Sequence, residues 1–168
     1  MPNLLLQKWP APEFTCVTKM DLTHLTEKDE AGVISMGVKY GLITFRRNGD
    51  KLVPFYIEGV QKYGKILPDT TEETEKKLPE IELAQAQEIC VRYTVKQIGK
   101  QDLNPSEKEF PLDQVTIEYS VDGHNYQMAG EMHAVPGRWV GVKNGVFCAS
   151  VNKESKGYAV IHNVEYYR

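Results

Sequence analysis

The chain has 168 residues, and its 20 basic and 23 acidic residues give a formal net charge of −3. With 41% hydrophobic and 26% charged residues, the composition is that of one folded domain with a sizeable core, which excludes wholesale disorder. A pI near 5.8 gives no electrostatic reason to bind nucleic acid. The apolar run 4–6 is too short for a signal-peptide core or a membrane span. We therefore expect neither nucleic acid nor membrane as a partner, and the sequence assigns no compartment.

Residues that favour strands dominate the chain: β-branched and aromatic residues number 51, against 20 for Ala and Leu. In chain order, the predicted strands cover 14–19, 32–38, 41–46, 51–59, 89–97, 115–121, a segment starting at Tyr126, 139–146 and 157–167. Clusters of Gly, Asn, Asp and Pro separate them, and Asp122-Gly123 predicts a turn before Tyr126. This spacing predicts an all-β, two-sheet antiparallel sandwich or jelly roll over 1–168.

Two polar stretches interrupt the strand pattern. The stretch 68–88 is rich in Glu, Lys, Thr and Gln, and it fits either a short helix or a solvated loop. Because Pro79 interrupts any helix there, we predict the loop. The stretch 99–111 carries Gly, Asn, Pro and several charges, and it predicts an exposed connection.

The metal-ligating residue types form no linear motif. Cys16, Cys90 and Cys148 are an odd set without a C-x-x-C pair, so they predict buried side chains, with neither a disulfide framework nor a thiolate zinc site. The four histidines lack the spacing that would place two imidazoles on one transition metal. Calcium needs only oxygen ligands, which a sandwich can supply without a linear motif. Asp21, Asp122 and Glu165 are its unranked candidate ligands.

The sequence shows no catalytic motif of its own. A nucleophile with an adjacent base is missing, and Gly137, Gly141 and Gly145 match neither a P-loop nor a dinucleotide fingerprint, so they predict a turn and a close sheet crossing. A glycosidase needs two carboxylates across one bond, yet most acids fall in polar loops or on outward strand positions. Aromatic rings could stack on a sugar, but for any one ring a place in the core is the stronger expectation.

The segment 3–15, NLLLQKWPAPEFT, resembles the N-L-L-L-Q-[KR]-F-P-A-P-x-F-T stretch that begins the C-terminal β-sandwich of glycoside hydrolase family 43 enzymes. Other segments are similar to later strands of that domain, in the same order: 30–34, 89–93, the hairpin 119–126 (YSVDGHNY), the strand pair 137–148 (GRWVGVKNGVFC) and the closing strand 157–168. The resemblance therefore covers the chain from end to end.

This resemblance implies a concanavalin A-like jelly roll that follows a catalytic five-bladed β-propeller in β-xylosidases and α-L-arabinofuranosidases. The propeller carries the catalytic acids, so the chain is expected to be a non-catalytic piece of a longer glycosidase acting on plant-wall xylan or arabinan oligosaccharides. Its expected partner is its own propeller, on which it packs and whose pocket it shapes. Two alternatives stay open: a carbohydrate-binding module that holds xylo- or arabino-oligosaccharides on a concave sheet face, and a free-standing enzyme.

The resemblance also implies where the contacts to a propeller or a sugar lie. The segment 130–138, just before Trp139, is the candidate loop that reaches the rim of the propeller's pocket. His133 stands where the family has an apolar or aromatic residue, and Arg138 closes the segment. In the binding-module alternative, Tyr40, Tyr56 and Trp139 are the candidate exposed rings.

Overall fold

The structure is a computed structural model that describes residues 3–63, 68–101, 110–135 and 141–168, with the backbone alone for those described within 61–71 and 100–112. These ranges contain twelve strands and one short 3₁₀ helix. The strands are β1 (Asn3–Lys8), β2 (Phe14–Asp21), β3 (Asp29–Met36), β4 (Lys39–Asn48), β5 (Lys51–Tyr63), β6 (Pro68–Lys77), β7 (Ile81–Glu82), β8 (Ile89–Gln101), β9 (Phe110–Ser120), β10 (Gln127–His133), β11 (Lys143–Ser150) and β12 (Val160–Tyr167). The 3₁₀ helix is Leu83–Glu88.

The strands form two antiparallel sheets, as the sequence predicts. The seven-stranded sheet has the order β1-β11-β3-β4-β5-β6, with the short β7 also paired to β5. The five-stranded sheet has the order β10-β9-β8-β2-β12. No helix in the described part of the chain is long and apolar enough to cross a membrane.

The core lies between the inner faces of the two sheets. Along β2, buried and half-buried residues alternate, so Phe14, Cys16 and Met20 point into the sandwich. Period-2 alternation of this kind is expected where one sheet face is buried. At the centre of the core, Tyr93 of β8 donates a hydrogen bond of 2.9 Å to the Ser35 hydroxyl of β3, and both residues are fully buried. The two sheets are thus joined by a polar contact as well as by apolar packing.

The predicted loop over 68–88 is wrong, because this stretch contains β6, β7 and the 3₁₀ helix. The strand β6 lies at the edge of the seven-stranded sheet and pairs along its length with β5. Its side chains from 72 to 77 are exposed, so they can be polar while the backbone is satisfied by β5. Pro79 lies beyond the end of β6, where it removes no ladder hydrogen bond. The strand pattern also fails to predict the edge strand β1, since the first predicted strand begins at residue 14.

The other predicted strands are confirmed with shifted ends. The strand predicted over 139–146 begins at Lys143 in the structure, and Trp139 lies outside the described residues. The strand predicted over 157–167 begins at Val160. In the predicted connection 99–111, β8 continues to Gln101 and β9 begins at Phe110, while 102–109 lie outside the described residues.

The predicted turn at Asp122-Gly123 is confirmed, and it owes its shape to the Asp122 carboxylate. That carboxylate accepts hydrogen bonds from the backbone and side-chain amides of Asn125, the backbone of His124 and the Ser120 hydroxyl. These donors, those of Asn125 foremost, hold the pKa of Asp122 well below its usual range. Gly123 has φ of +74°, a conformation that favours glycine.

The cysteines are free, with Cys16 and Cys90 buried and Cys148 half-buried, and burial raises the pKa of each thiol. Gly145 confirms the predicted close crossing, since a Cβ there would lie 2.0 Å from the Leu5 carbonyl oxygen of the neighbouring strand. At Gly141 an added Cβ would meet no described residue within 4 Å, and Gly137 lies outside the described residues.

Candidate functional site

Tyr56 lies inside the sandwich, where β10 closes over β4 and β5. Only 8% of the residue is exposed, and its ring packs so closely on Gly130 that a Cβ at this glycine would lie 2.4 Å from the ring. The Tyr56 hydroxyl donates to the Glu58 carboxylate at 3.3 Å, and Lys39 pairs with the same carboxylate at 2.7 Å. Burial and the Glu58 charge raise the pKa of Tyr56. The phenol therefore stays protonated and serves as a packed structural group.

Tyr40 points to the other side of the same sheet. Its ring covers Gly59, where an added Cβ would lie 2.2 Å from the ring, and its hydroxyl donates to Glu73 of β6. The residue is 9% exposed. Burial and the neighbouring Glu73 raise the pKa of Tyr40. The expectation that Tyr40 and Tyr56 are exposed rings is therefore wrong, since local partners cover both.

The segment 130–138 starts from a base that is fixed to both sheets. The Val38 backbone N–H donates to the Val135 carbonyl at 2.9 Å, and the Ala134 N–H donates to the Asp113 carbonyl at 2.9 Å. His133 is exposed on β10 and lies opposite Gln114 of β9. Arg138 and Trp139 lie outside the described residues. The base of the candidate loop thus lies beside the turn between β3 and β4, close in sequence to Tyr40.

The outer face of the seven-stranded sheet is apolar at its centre. The pairing register forms one row across β1, β11, β3 and β4. In this row Leu6 lies opposite Gly145, Gly145 opposite Ile34, and Ile34 opposite Leu42. Directly opposite residues share a face of the sheet, so these side chains point away from the core. The six residues that define this apolar outer face are Leu4, Leu6, Ile34, Leu42, Phe55 and Phe147. Leu4 is 46% exposed and the others are half-buried.

Charged side chains border the apolar outer face. At one end, Arg46 pairs with Glu30 at 3.1 Å and with Glu75 at 2.8 Å, and its guanidinium lies 4.4 Å from the centre of the Phe55 ring. At the other end, Lys8 of β1 lies opposite Lys143 of β11. An apolar centre with a charged rim is the usual anatomy of a protein interface.

The five-stranded sheet presents a different outer face, a shallow polar groove of about 540 Å³. Its floor is a row of residues that pair directly across four strands: Tyr167 opposite Thr15, Thr15 opposite Thr94, and Thr94 opposite Thr116. Lys96 and Gln114 line one side of this row, and Arg92 and Glu118 line the other. We call this set the outer groove. No aliphatic side chain lines it.

The polar side chains of the outer groove are held by partners. Arg92 donates two hydrogen bonds to Glu118, at 2.7 and 3.0 Å, and its guanidinium lies 4.0 Å from the centre of the Tyr126 ring. Gln114 donates to Glu131 at 3.0 Å. The bonds to Glu118 raise the pKa of Arg92, so this pair stays charged. Sequence patterns do not reveal the groove, because its residues are adjacent only through strand pairing.

Carboxylates of the described residues do not pair within a cavity. Four surface cavities are lined by no more than one carboxylate each, Asp29 in a cavity of about 130 Å³ and Glu118 in the outer groove. The candidate calcium ligands do not come together: Asp21 accepts from Thr23, Asp122 caps its turn and Glu165 accepts from Asn163. Within the described ranges, no three His, Cys, Asp or Glu side chains are placed to hold a metal ion.

The two antiparallel sheets place the chain in the class of concanavalin A-like β-sandwich domains. Residues 1–167 match the family model of the β-xylosidase C-terminal concanavalin A-like domain, and the chain belongs to this family. No curated protein sequence matches the chain.

Solved structures of family 43 glycoside hydrolases share the fold. An engineered family 43 enzyme, described as displaying endo-xylanase and exo-arabinofuranosidase activity, superposes with a TM-score of 0.77 at 19% identity over 98% of this chain and 30% of its own. A bifunctional family 43 protein of Bacteroides eggerthii has a TM-score of 0.69 at 21% identity, over 98% of this chain and 19% of its own. A third family 43 protein, BlXynB of Bacillus licheniformis, has a TM-score of 0.61 at 13% identity, over 98% of this chain and 29% of its own. The chain thus spans less than a third of each of these proteins.

Proposed function

We propose that this chain is the non-catalytic accessory domain of a family 43 glycoside hydrolase acting on xylan or arabinan oligosaccharides. In this proposal it packs on the catalytic propeller of its own enzyme and shapes the pocket. The observation that carries the proposal is the family match over 1–167, combined with a length that is less than a third of each solved neighbour. The xylanase and arabinofuranosidase activities described for one neighbour support the substrate class.

The distribution of acids supports a catalytic centre outside this chain. Hydrolysis of a glycosidic bond uses two carboxyl groups roughly 5–9.5 Å apart on either side of the bond. The four surface cavities described above offer at most one carboxylate each, and Glu118 is already bound by Arg92. We therefore place the catalytic acid pair in a second domain of the enzyme.

The apolar outer face supports docking onto that second domain. One face of an antiparallel sheet is usually solvated and polar, yet Leu6, Ile34 and Leu42 run across this one. Covering such side chains with another protein removes apolar surface from water, which stabilises a complex by about 25 cal/mol per Å² before the costs of association.

The segment 130–138 is the part that we propose reaches the pocket. Its base at Val135 is hydrogen-bonded to Val38, beside the end of the sheet that carries the apolar outer face. A segment anchored there can extend along the docked partner while its base stays in place. We assign the rim contacts to His133, Arg138 and Trp139.

The test compares the parent enzyme's catalytic domain alone and mixed with this chain, on aryl β-xylosides and aryl α-L-arabinofuranosides. We expect no turnover by the chain alone above buffer, and a roughly tenfold higher kcat/KM when the chain is added, because the rim segment orients the substrate. A chain carrying Trp139→Ala should lose most of this gain, while a Met128→Ala variant, at an exposed position of the five-stranded sheet, should keep it. Turnover by the chain alone, or an unchanged kcat/KM on saturating addition, would overturn the proposal.

A further inference from the structure

We infer that the outer groove binds a neutral saccharide, at a site separate from the catalytic pocket of the parent enzyme. The inference relies on the proposed function only for the choice of xylo- and arabino-oligosaccharides as probes. It concerns the five-stranded sheet, whereas the proposed docking surface lies on the seven-stranded sheet.

The floor of the groove offers hydroxyl groups in a straight line. Thr15, Thr94 and Thr116 lie directly opposite one another on three neighbouring strands, and the Thr15 and Thr94 hydroxyl oxygens are 3.4 Å apart. From β12 to β9 the row is about 14 Å long, given strand spacings of 4.7–4.9 Å. Each hydroxyl can donate and accept, which matches the hydroxyl groups of a sugar. The rigid sheet fixes the spacing of the row.

Tyr167 closes the row with an exposed aromatic ring. It lies opposite Thr15 on β12, 51% of the residue is exposed, and its hydroxyl donates to Glu165 of the same strand. That contact restricts the ring at the end of the floor. An exposed ring whose orientation is fixed is suited to stacking on the apolar face of a sugar ring, while the neighbouring hydroxyl groups bind its edge.

The charges of the groove favour a ligand without net charge. Arg92 and Glu118 neutralise each other through two hydrogen bonds, and their side chains keep 37% and 20% exposure. A guanidinium has five N–H donors and a carboxylate about four acceptor positions, so both retain hydrogen-bonding capacity toward the groove. Lys96 lies opposite Gln114, whose side chain donates to Glu131 at the β10 side of the groove. An anion would meet Glu118 and a cation would meet Arg92.

The same lining disfavours a protein partner. Protein interfaces have an apolar core, and the outer groove is lined by no aliphatic side chain. The apolar outer face of the other sheet has that character instead.

The test is an NMR titration of the ¹⁵N-labelled chain with xylotetraose, arabinotetraose and, as a charged probe, trigalacturonic acid. We expect saturable shifts for the amides of Thr15, Thr94 and Thr116 with a neutral probe, at a Kd of roughly 1 mM, and weaker binding of the charged one. Tyr167→Ala should weaken binding about tenfold, because the stacking ring is lost, while Tyr167→Phe should retain it within about threefold.

Tyr158 provides a matched control, since it is 52% exposed but stacks on His24 away from the groove. Tyr158→Ala should leave the affinity unchanged. Binding that Tyr167→Ala does not weaken, shifts that map outside the groove, or no saturable shift with either neutral probe would overturn the inference. Groove shifts that appear only on adding the catalytic domain would also overturn it and would assign the groove to docking. The kinetic test of the proposed function has a separate readout, turnover by the catalytic domain, so failure of this inference and failure of the proposed function are distinguishable.

Discussion

At the scale of single residues, close contacts decide what the tyrosines can do. Tyr56 packs on Gly130, and Tyr40 packs on Gly59. Each ring fits only because the glycine beneath it has no side chain. Gly130 and Tyr56 lie on strands far apart in the sequence, whereas Gly59 and Tyr40 are directly paired on the consecutive strands β4 and β5. The sequence identifies these aromatic residues as candidates, but it cannot show whether a ring points inward or outward before the strand register is known.

Gly130→Ala tests this packing. The added methyl group would lie 2.4 Å from the buried Tyr56 ring, which has no room to move away, so we expect a loss of about 1–3 kcal/mol in the free energy of unfolding. Urea denaturation followed by circular dichroism measures it. Gly141→Ala is the control, because no heavy atom of the described residues lies within 4 Å of the position of its added Cβ. Equal stability of the two variants would contradict this packing.

Local chemistry does predict some residues well. Asp122-Gly123 forms its turn because the Asp122 carboxylate accepts nearby N–H groups and Gly123 adopts positive φ, and both causes lie within a few residues. The absence of paired spacing likewise predicts free, buried cysteines, which holds for Cys16 and Cys90, while Cys148 is free but half-buried. The roles of Arg138 and Trp139 stay predictions, since both lie outside the described residues.

At the scale of elements, the two sheets are coupled through the core by Tyr93 of β8 and Ser35 of β3. Their hydrogen bond of 2.9 Å is fully buried, so removing the Tyr93 hydroxyl leaves the Ser35 group without this partner. The contact joins strands that are 58 positions apart in sequence. It lies where the inner faces of both sheets meet.

A double-mutant cycle measures that coupling. We expect Tyr93→Phe to lower the free energy of unfolding by about 1–2 kcal/mol, and Ser35→Ala by a similar amount. The double variant should be more stable than the sum of the two losses implies, by about 0.5–1.5 kcal/mol, because each single variant already loses the same bond. Additive losses in urea denaturation would show that the two hydroxyl groups are not coupled.

Elements with strong alternation were predicted from the sequence, and edge elements were not. The strand β9 has apolar residues on one face and polar residues on the other, which the period-2 pattern predicts. By contrast, β6 has polar side chains along 72–77, where solvent surrounds them. Its backbone hydrogen bonds are made to β5, so the strand needs no buried apolar face. Composition alone therefore favoured a loop for β6.

At the scale of the whole molecule, the sequence predicts a two-sheet sandwich but not how its outer faces differ. Alternation tells which residues of one strand share a face, and only the strand order assembles them into a surface. The apolar outer face and the outer groove both follow from cross-strand register, in which residues more than 70 positions apart become neighbours, as Thr15 and Thr94 do. We propose different partners for these two faces, a protein for the apolar outer face and a saccharide for the outer groove.

The most direct measurement is a calorimetric titration of the parent enzyme's catalytic domain into this chain. Docking through the apolar outer face predicts a one-to-one complex that Leu42→Glu weakens by at least about tenfold, because a charge then enters the apolar centre. Val17→Glu makes the same kind of change on the outer face of the five-stranded sheet, and it should alter the affinity by no more than roughly twofold. Both variants must keep the wild-type circular dichroism spectrum. A complex that tolerates Leu42→Glu as well as Val17→Glu, or no complex between the wild-type domains, would contradict docking through this face.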